Sequence, residues 1–383
     1  MVAVLYVHTR FDSPGGANFV AVETANILSN YEEFDMSIAT ARFNSDLYNL
    51  DPDVSLYEFG GGSPASVNHW IQLPTILLRL AEIIRQEDID IVLFHSIPTP
   101  YWTVPLKRLT SDTRYIWYAH DPNAYLNSPG KIQDVPNPLR TGMKISHPLL
   151  KKLDRSIISN HIDSVIANSQ FTKRIIQNTY ESPTTVIYPG INIERFTQPS
   201  VEDSSTIFTV GQLNRYKNFD TLIRAYSKFK ERVERPISLD IAGTGSYKKQ
   251  LEKIAIDEGV DADVNFLGYI SDSELTTRYA KAMVSVYLPE SEPFGLVPVE
   301  SMAAGTPVIA VNSGGIKETV EDGRTGLLLS EASETELSNA LFKLSTSPKL
   351  CEDMGKAAKN RVTSTFTIQH TADQLADFFH QTG

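Results

Sequence analysis

The run Ser291-Glu292-Pro293-Phe294-Gly295-Leu296-Val297-Pro298-Val299-Glu300 is the densest chemical signal in the sequence, with two carboxylates eight residues apart and a glycine between them. Pro298 suits the first turn of a helix, where a missing N–H costs nothing, and Gly305 suits its end. A helix running from Pro298 to Ala304 puts Glu300 in its first turn and Glu292 in the preceding loop. The amides of Gly295, Leu296 and Val297 then point out of the helix N-terminus, a setting that favours an anion. A carboxylate on each side of that anion can accept hydrogen bonds from hydroxyls. An anion flanked by a polyol describes a sugar nucleotide. Taken alone, Glu300 reads equally well as an acid favoured by the helix macrodipole, so other motifs must decide.

Val210-Gly211-Gln212-Leu213-Asn214-Arg215-Tyr216-Lys217-Asn218 follows a strand and opens a helix. Gly211 permits close backbone approach. Arg215 and Lys217 can hold a diphosphate, the first as a fork and the second as a point charge. An isolated Arg-x-Lys is commonly two solvated charges, so the argument here comes from its place after a strand. His120 precedes Asp121-Pro122, which sets a turn at the end of another strand. A histidine so placed is often only a structural hydrogen-bonder. His8 and His95 also end strands, and neither is assigned a role. Asp51-Pro52-Asp53 resembles a metal-binding pair but sits in a polar turn, and reads as turn chemistry.

The elements that position these residues alternate. Val2–Val7 is a nearly continuous apolar run, as expected of a strand buried on both faces of a parallel sheet. Pro14-Gly15-Gly16 and a helical pattern follow it. Further strands are expected at 89–94, 115–118, 164–167 and 185–188, ending at His95, Ala119-His120, Asn168 and Pro189-Gly190. Gln198–Ser205 is polar and reads as a linker. A second series has strands at 206–210, 238–242, 264–267, 284–288, 307–311 and 326–329, with helices between. Alternation of this kind implies α/β domains with parallel sheets. Ligands bind such sheets beyond the C-terminal strand ends, so these terminal residues should line one region, a cleft if the two sheets face each other.

The chain's 383 residues fit two domains. We expect two domains, residues 1–198 and 199–383, and a last helix that packs back on the N-terminal one. The formal charge of -11 argues against a nucleic-acid binder. Residues 131–160 depart from it, with six cations (Lys131, Arg140, Lys144, Lys151, Lys152, Arg155) against Asp134 and Asp154. This window is +4 and the remainder -15. Around Leu149-Leu150-Lys151-Lys152-Leu153 it suggests peripheral contact with an anionic membrane, against the plainer reading of a solvated helix face. Cys351 is the sole cysteine, so no intrachain disulfide or cysteine-rich zinc site forms. No apolar stretch is long enough to span a membrane. The expected location is the cytoplasm, at the inner face of the membrane if that contact forms.

Residues Thr206 to Leu329 resemble the C-terminal domain of the retaining glycosyltransferases called family 4, which have the GT-B fold of two Rossmann-like domains facing a cleft. The paired-glutamate block carries the resemblance, continued by Ala304-Gly305-Thr306-Pro307, Gly314-Gly315 with Glu318, and Asp322-Gly323-Arg324-Thr325-Gly326. Gly15-Gly16, His120, Ala167-Asn168-Ser169 and Tyr188-Pro189-Gly190 extend it more weakly into the N-terminal half. The resemblance implies that Lys217 and a nearby arginine clamp the diphosphate, and that Glu300 holds the ribose hydroxyls. It places Glu292 and His120 at the transferred sugar and gives Phe294, Gly295, Leu296 and Val297 a backbone role. Gly16 and Gly211 should lie near the diphosphate, and Tyr269 and Ile270 beside the base. It also implies retention, no metal ion and no cofactor beyond the nucleotide sugar. One departure stands out: the family's arginine after the strand glycine is Gln212 here, and Arg215 is the nearest replacement. The Tyr118–Pro122 loop and the Arg155–Asn168 stretch resemble mannosyltransferases acting on lipid-linked sugars, which points to GDP-mannose. A GT-B epimerase, a phosphorylase and an inactive nucleotide-sugar-binding subunit remain alternatives. A nicotinamide dehydrogenase does not, since no Gly-x-Gly-x-x-Gly follows the first strand.

Overall fold

The computed structural model describes residues 1–64, 66–121, 137–196 and 205–382. Pro122, most of the expected linker (198–204) and the side chains of Lys131, Asp134, Arg140 and Lys144 lie outside the described residues. The chain divides into two units, Met1–Pro189 with Ile368–Gly383, and Gly190–Thr367. The break therefore falls after Pro189 and not between 198 and 199. The reason is a backbone tie: Ile191 N–H donates to Phe366 O at 2.9 Å, which binds the residues after Pro189 to the second unit.

The first unit is one parallel sheet of β1 (Val2–His8), β2 (Phe34–Thr40), β3 (Ser55–Glu58), β4 (Ile91–Phe94), β5 (Arg114–Ala119), β6 (Ser164–Ala167) and β7 (Thr184–Val186), in the order β3-β2-β1-β4-β5-β6-β7. Its central strands are apolar throughout because helices cover both faces; Leu5, Val7, Val92, Phe94 and Trp117 are all buried. The sequence reading lacks β2 and β3. In β2, Asp35 and Ser37 interrupt the apolar run, and β3 is an edge strand with three of its four residues exposed. The helix Ile368–Thr382 belongs to this unit: Tyr31 donates to Asp373 Oδ1 at 2.6 Å and Thr371 to Tyr188 O at 2.9 Å.

The second unit is a parallel sheet of β8 (Thr206–Val210), β9 (Ser238–Ala242), β10 (Val264–Gly268), β11 (Val284–Tyr287), β12 (Val308–Val311) and β13 (Gly326–Leu329), ordered β10-β9-β8-β11-β12-β13. In each sheet the chain builds outward from its first strand, then returns to that strand's other side. The switch points lie between β1 and β4 and between β8 and β11, where ligands enter open α/β sheets.

At the rim of the second sheet the loops after β8 and β9 run in direct contact. A Cβ on Gly243, whose φ is +125°, would come 1.9 Å from Gly211 O. Gly259 has φ +68° and nothing within 4 Å. Both substitutions by alanine share a left-handed cost of about 1–2 kcal/mol, and only Gly243→Ala adds a backbone clash. Urea unfolding should therefore show Gly243→Ala less stable than Gly259→Ala by at least about 1 kcal/mol. Equal losses would mean that the two loops separate freely.

Candidate functional site

Lys217 closes a short 3-10 turn, Arg215–Lys217, after β8. Asn218 follows with a left-handed φ of 56°, and its Nδ2 donates to Leu288 O at 3.0 Å, pinning the turn to the end of β11. Lys217 Nζ therefore reaches across the switch point. It donates to Glu292 Oε1 at 2.5 Å and to Tyr287 OH at 3.3 Å, and lies 5.0 and 5.3 Å from the ring centroids of Tyr216 and Tyr287. The two charged side chains are only 15% and 20% exposed, so little water screens the pair. The ammonium and carboxylate neutralise each other, and an incoming phosphate would compete with Glu292 for Lys217.

The loop bearing Glu292 is held from behind. Gly315 N–H donates to Glu292 O at 2.8 Å, and Ser291 N–H to Ser313 Oγ at 3.0 Å. Gly314 and Gly315 lie so close that a Cβ would fall 2.3 Å from Glu292 O and 2.2 Å from Pro293 O. The glycine pair thus places Glu292 by leaving room for its backbone.

The helix after this loop is Leu296–Ala303, starting earlier than expected, with Gly295 as N-cap at φ +90°. Pro298 is its third residue and Glu300 its fifth, so Glu300 lies beyond the first turn; this corrects the reading that it is a first-turn acid. The amides of Leu296 and Val297 remain among those a helix N-terminus leaves unsatisfied. Phe294 is 2% exposed and packs against Phe366; its side chain is core, leaving its backbone to the site. Glu300 Oε2 accepts from Tyr279 OH at 3.1 Å. Burial pushes the Glu300 carboxyl up to about 7, with the Arg195 cation and the Tyr279 hydrogen bond holding it back and Asp272 adding to the rise.

Arg215 does not join the Lys217–Glu292 pair. It is exposed, and its guanidinium lies 5.4 Å from the Tyr247 ring centroid. Gln212 is exposed beside it and accepts from Asn214 Nδ2 at 3.3 Å. Gly211 directly follows β8 at the rim; Tyr269, 65% exposed, and Ile270 follow β10 on the same sheet. In the first unit Gly16 opens the helix Gly16–Ser29 after β1. Asp51 Oδ1 accepts the Asp53 N–H at 3.0 Å, which is turn chemistry. Tyr279, Tyr287 and Asn218 escaped the sequence reading, because tyrosines in a helix and a strand look like core until their hydroxyls are located.

His120 follows β5. Its carbonyl accepts from Asn168 Nδ2 at 2.8 Å, and its ring lies 4.3 Å from Tyr118 and against His95. Burial, reinforced by His8, lowers its imidazole to about 3. It is a neutral hydrogen-bonding group at ordinary pH.

Comparison with known proteins finds relatives across nearly the whole chain. Residues 191–361 match the model of the glycosyl transferases group 1 family, and residues 14–195 that of glycosyltransferase family 4. The chain is 25% identical to the mouse alpha-1,3/1,6-mannosyltransferase ALG2, over 98% of this chain and 95% of that protein. It is 27% identical to the Mycobacterium tuberculosis GDP-mannose-dependent alpha-(1-6)-phosphatidylinositol monomannoside mannosyltransferase, over 80% and 79%. Among solved structures it resembles sucrose-phosphate synthase from Thermosynechococcus elongatus, with a TM-score of 0.82 at 20% identity, covering 100% and 99% of the two chains. Anabaena HepE, solved with UDP and glucose, gives 0.78 at 18% identity with both chains fully covered. The fold is the two-domain GT-B architecture.

The raised Glu300 carboxyl has a stability consequence. Its folded value of about 7 exceeds the ordinary 4.5, so the folded state keeps a proton that the unfolded state releases between those values. This contribution is fully present below the lower value and is lost as pH rises through the upper one. From about pH 5 to 8, wild type should therefore lose stability relative to Glu300→Gln, by at most about 1.4 kcal/mol per pH unit. Urea unfolding across that range measures it, and a constant difference would place the carboxyl in the ordinary range.

Proposed function

This chain belongs to the group 1 and family 4 glycosyltransferases, and on that footing we propose that it transfers mannose from GDP-mannose to a glycan or lipid-linked acceptor, with retention and without a metal ion. The Lys217–Glu292 pair at the switch point of the second sheet carries the reading. In such a transfer, negative charge develops on the leaving diphosphate and positive charge at the anomeric carbon. Lys217 meets the diphosphate, and Glu292, once released, accepts from sugar hydroxyls. The amides of Gly295, Leu296 and Val297 add a preorganised positive field. Glu300 in its ionised form accepts from the ribose hydroxyls, while Tyr269 and Ile270 border the base. Gly16 and Gly211 allow the backbone close to the phosphates, and His120 hydrogen-bonds the transferred sugar. Mannose is supported by the two mannosyltransferase relatives. The unbroken Glu292–Glu300 block favours a transferase over an epimerase or phosphorylase, and the retained Lys217, Glu292 and Glu300 argue against an inactive subunit.

A panel of nucleotide sugars, with lipid-linked acceptors and excess EDTA, tests the proposal. We expect transfer from GDP-mannose undiminished by EDTA, with Lys217→Ala down roughly 10²–10³-fold. Loss of all transfer in EDTA, restored by Mg²⁺, overturns the metal-free mechanism. Sugar release or isomerisation without acceptor overturns the transferase. If Arg215 swings from Tyr247 to replace the arginine absent at Gln212, Arg215→Ala falls comparably and Gln212→Arg partly restores it. Near-normal activity in Arg215→Ala leaves the clamp to Lys217 and the helix amides.

No described helix is long and apolar enough to cross a membrane. Peripheral contact is supported by the helix Asn137–His161, where Leu149, Leu150 and Leu153 are 62%, 39% and 50% exposed beside exposed Lys151 and Lys152. Apolar side chains with adjacent cations suit an anionic bilayer surface, each cation contributing about 1 kcal/mol. Sedimentation with anionic liposomes at low salt should recover the wild type and lose the Lys151→Glu/Lys152→Glu variant. Equal recovery on neutral and anionic lipid excludes this docking.

A further inference from the structure

His8, His95 and His120 stand at the C-terminal ends of β1, β4 and β5, which are neighbours in the first sheet. His95 is 2% exposed. Its ring centroid lies 4.7 Å from that of Tyr6 and 5.6 Å from that of Tyr118, and its ring lies nearly parallel to that of His120, edge to edge, with centroids 5.5 Å apart and an interplanar angle of 19°. His95 Nδ1 and His120 Nε2 are 3.2 Å apart. Burial drives both imidazoles neutral, so each ring carries one proton, and the shared bond needs an N–H on one side and a lone pair on the other.

The direction of that bond follows from the far side of His95. Its Nε2 is buried and has no hydrogen-bond partner among the described residues. If His120 donated, the proton of His95 would have to sit on that nitrogen, leaving a buried N–H without an acceptor. If His95 donates from Nδ1, the buried nitrogen carries a lone pair, which is cheaper to leave unsatisfied than an N–H. His8 does not disturb the assignment. Its Nδ1 accepts the Arg10 N–H at 3.2 Å, so its own proton is on Nε2, and burial keeps it neutral as well.

We infer that His95 is a positioning residue whose Nδ1–H donates to His120 Nε2 and so holds His120 in the Nδ1–H tautomer. The ring of His120 is pinned between Tyr118 and His95, and Asn168 holds its carbonyl. Its Nε2 lone pair is consumed by His95, which leaves Nδ1 as a fixed donor. It therefore suits an oxygen acceptor, such as a sugar hydroxyl, and does not serve as a base through Nε2. The tautomer stands independently of the proposed transfer; its kinetic consequence rests on the reading that His120 meets the sugar.

The test is long-range ¹H–¹⁵N correlation on the full chain with ¹⁵N-labelled histidine near neutral pH, the His120 signals being assigned by substitution. We expect His120 as the Nδ1–H tautomer in wild type. His95→Phe keeps a ring between the tyrosines but has no donor, and should move His120 toward the Nε2–H form that an unconstrained histidine prefers. His95→Asn places an amide N–H where Nδ1 was and should restore the original tautomer. Turnover should fall on the order of 10- to 10²-fold in His95→Phe and recover in His95→Asn. An Nε2–H form of His120 in wild type, or an Nδ1–H form that survives His95→Phe, overturns the inference. Should the phenylalanine variant fail to fold, the wild-type spectrum decides alone. The stated tautomer with turnover unmoved upholds the inference and removes His120 from the proposed transfer.

Discussion

Parallel strands joined by crossovers leave only one kind of place where neighbouring loops part, and the site of the second unit is built on it. From β8 the chain proceeds to β9 and β10 on one side, and β11 returns on the other. The loops after β8 and β11 then diverge above adjacent strand ends. That divergence makes room for Lys217 and Glu292 to meet although 75 residues separate them in sequence. The Asn218 bond to Leu288 O clips the two loops at their base, so the charges meet above a fixed hinge.

Around this pair the protein spends small residues and hydroxyls in place of further charge. Gly314 and Gly315 bring one backbone against another to place Glu292, and Gly295 turns the chain into the helix that carries Glu300. A buried carboxylate without partners is costly. Glu300 is relieved by Tyr279 and by Arg195, whose own charge is shared with Asp272 at 2.7 Å. The relief is incomplete, which is why its carboxyl stays near 7. The result is a site with one neutralised ion pair and one carboxylate balanced between its two protonation states.

The first unit uses the same rim differently. Its three strand-end histidines are all lowered by burial and stand as a neutral layer among Tyr6, Tyr118 and Phe11. Such a layer contributes direction through hydrogen bonds and no net charge, whereas the second unit presents an ion pair and the amides of a helix N-terminus.

The local signals in the sequence were sufficient for much of this. Apolar runs located β1 and β4, because a strand covered on both faces reads as nearly continuously apolar, and alternation with helical segments located the strands of the second unit. The Glu292–Glu300 block, Gly211 and Lys217 stand out in the sequence as candidates because each stands where a strand or loop meets a helix. What stayed hidden was every relation between distant residues. Nothing in the spacing tells that Lys217 pairs with Glu292 while Arg215 turns to Tyr247, or that the hydroxyl of Tyr279 reaches Glu300. The same limit applies to β3, whose edge position removes the apolar signature, and to Ile191, whose bond to Phe366 decides the unit boundary. Periodicity and capping act over a few residues, so the chain encodes them locally. Which polar atoms satisfy one another after burial depends on strand order and loop approach, and these exist only once the sheets have formed.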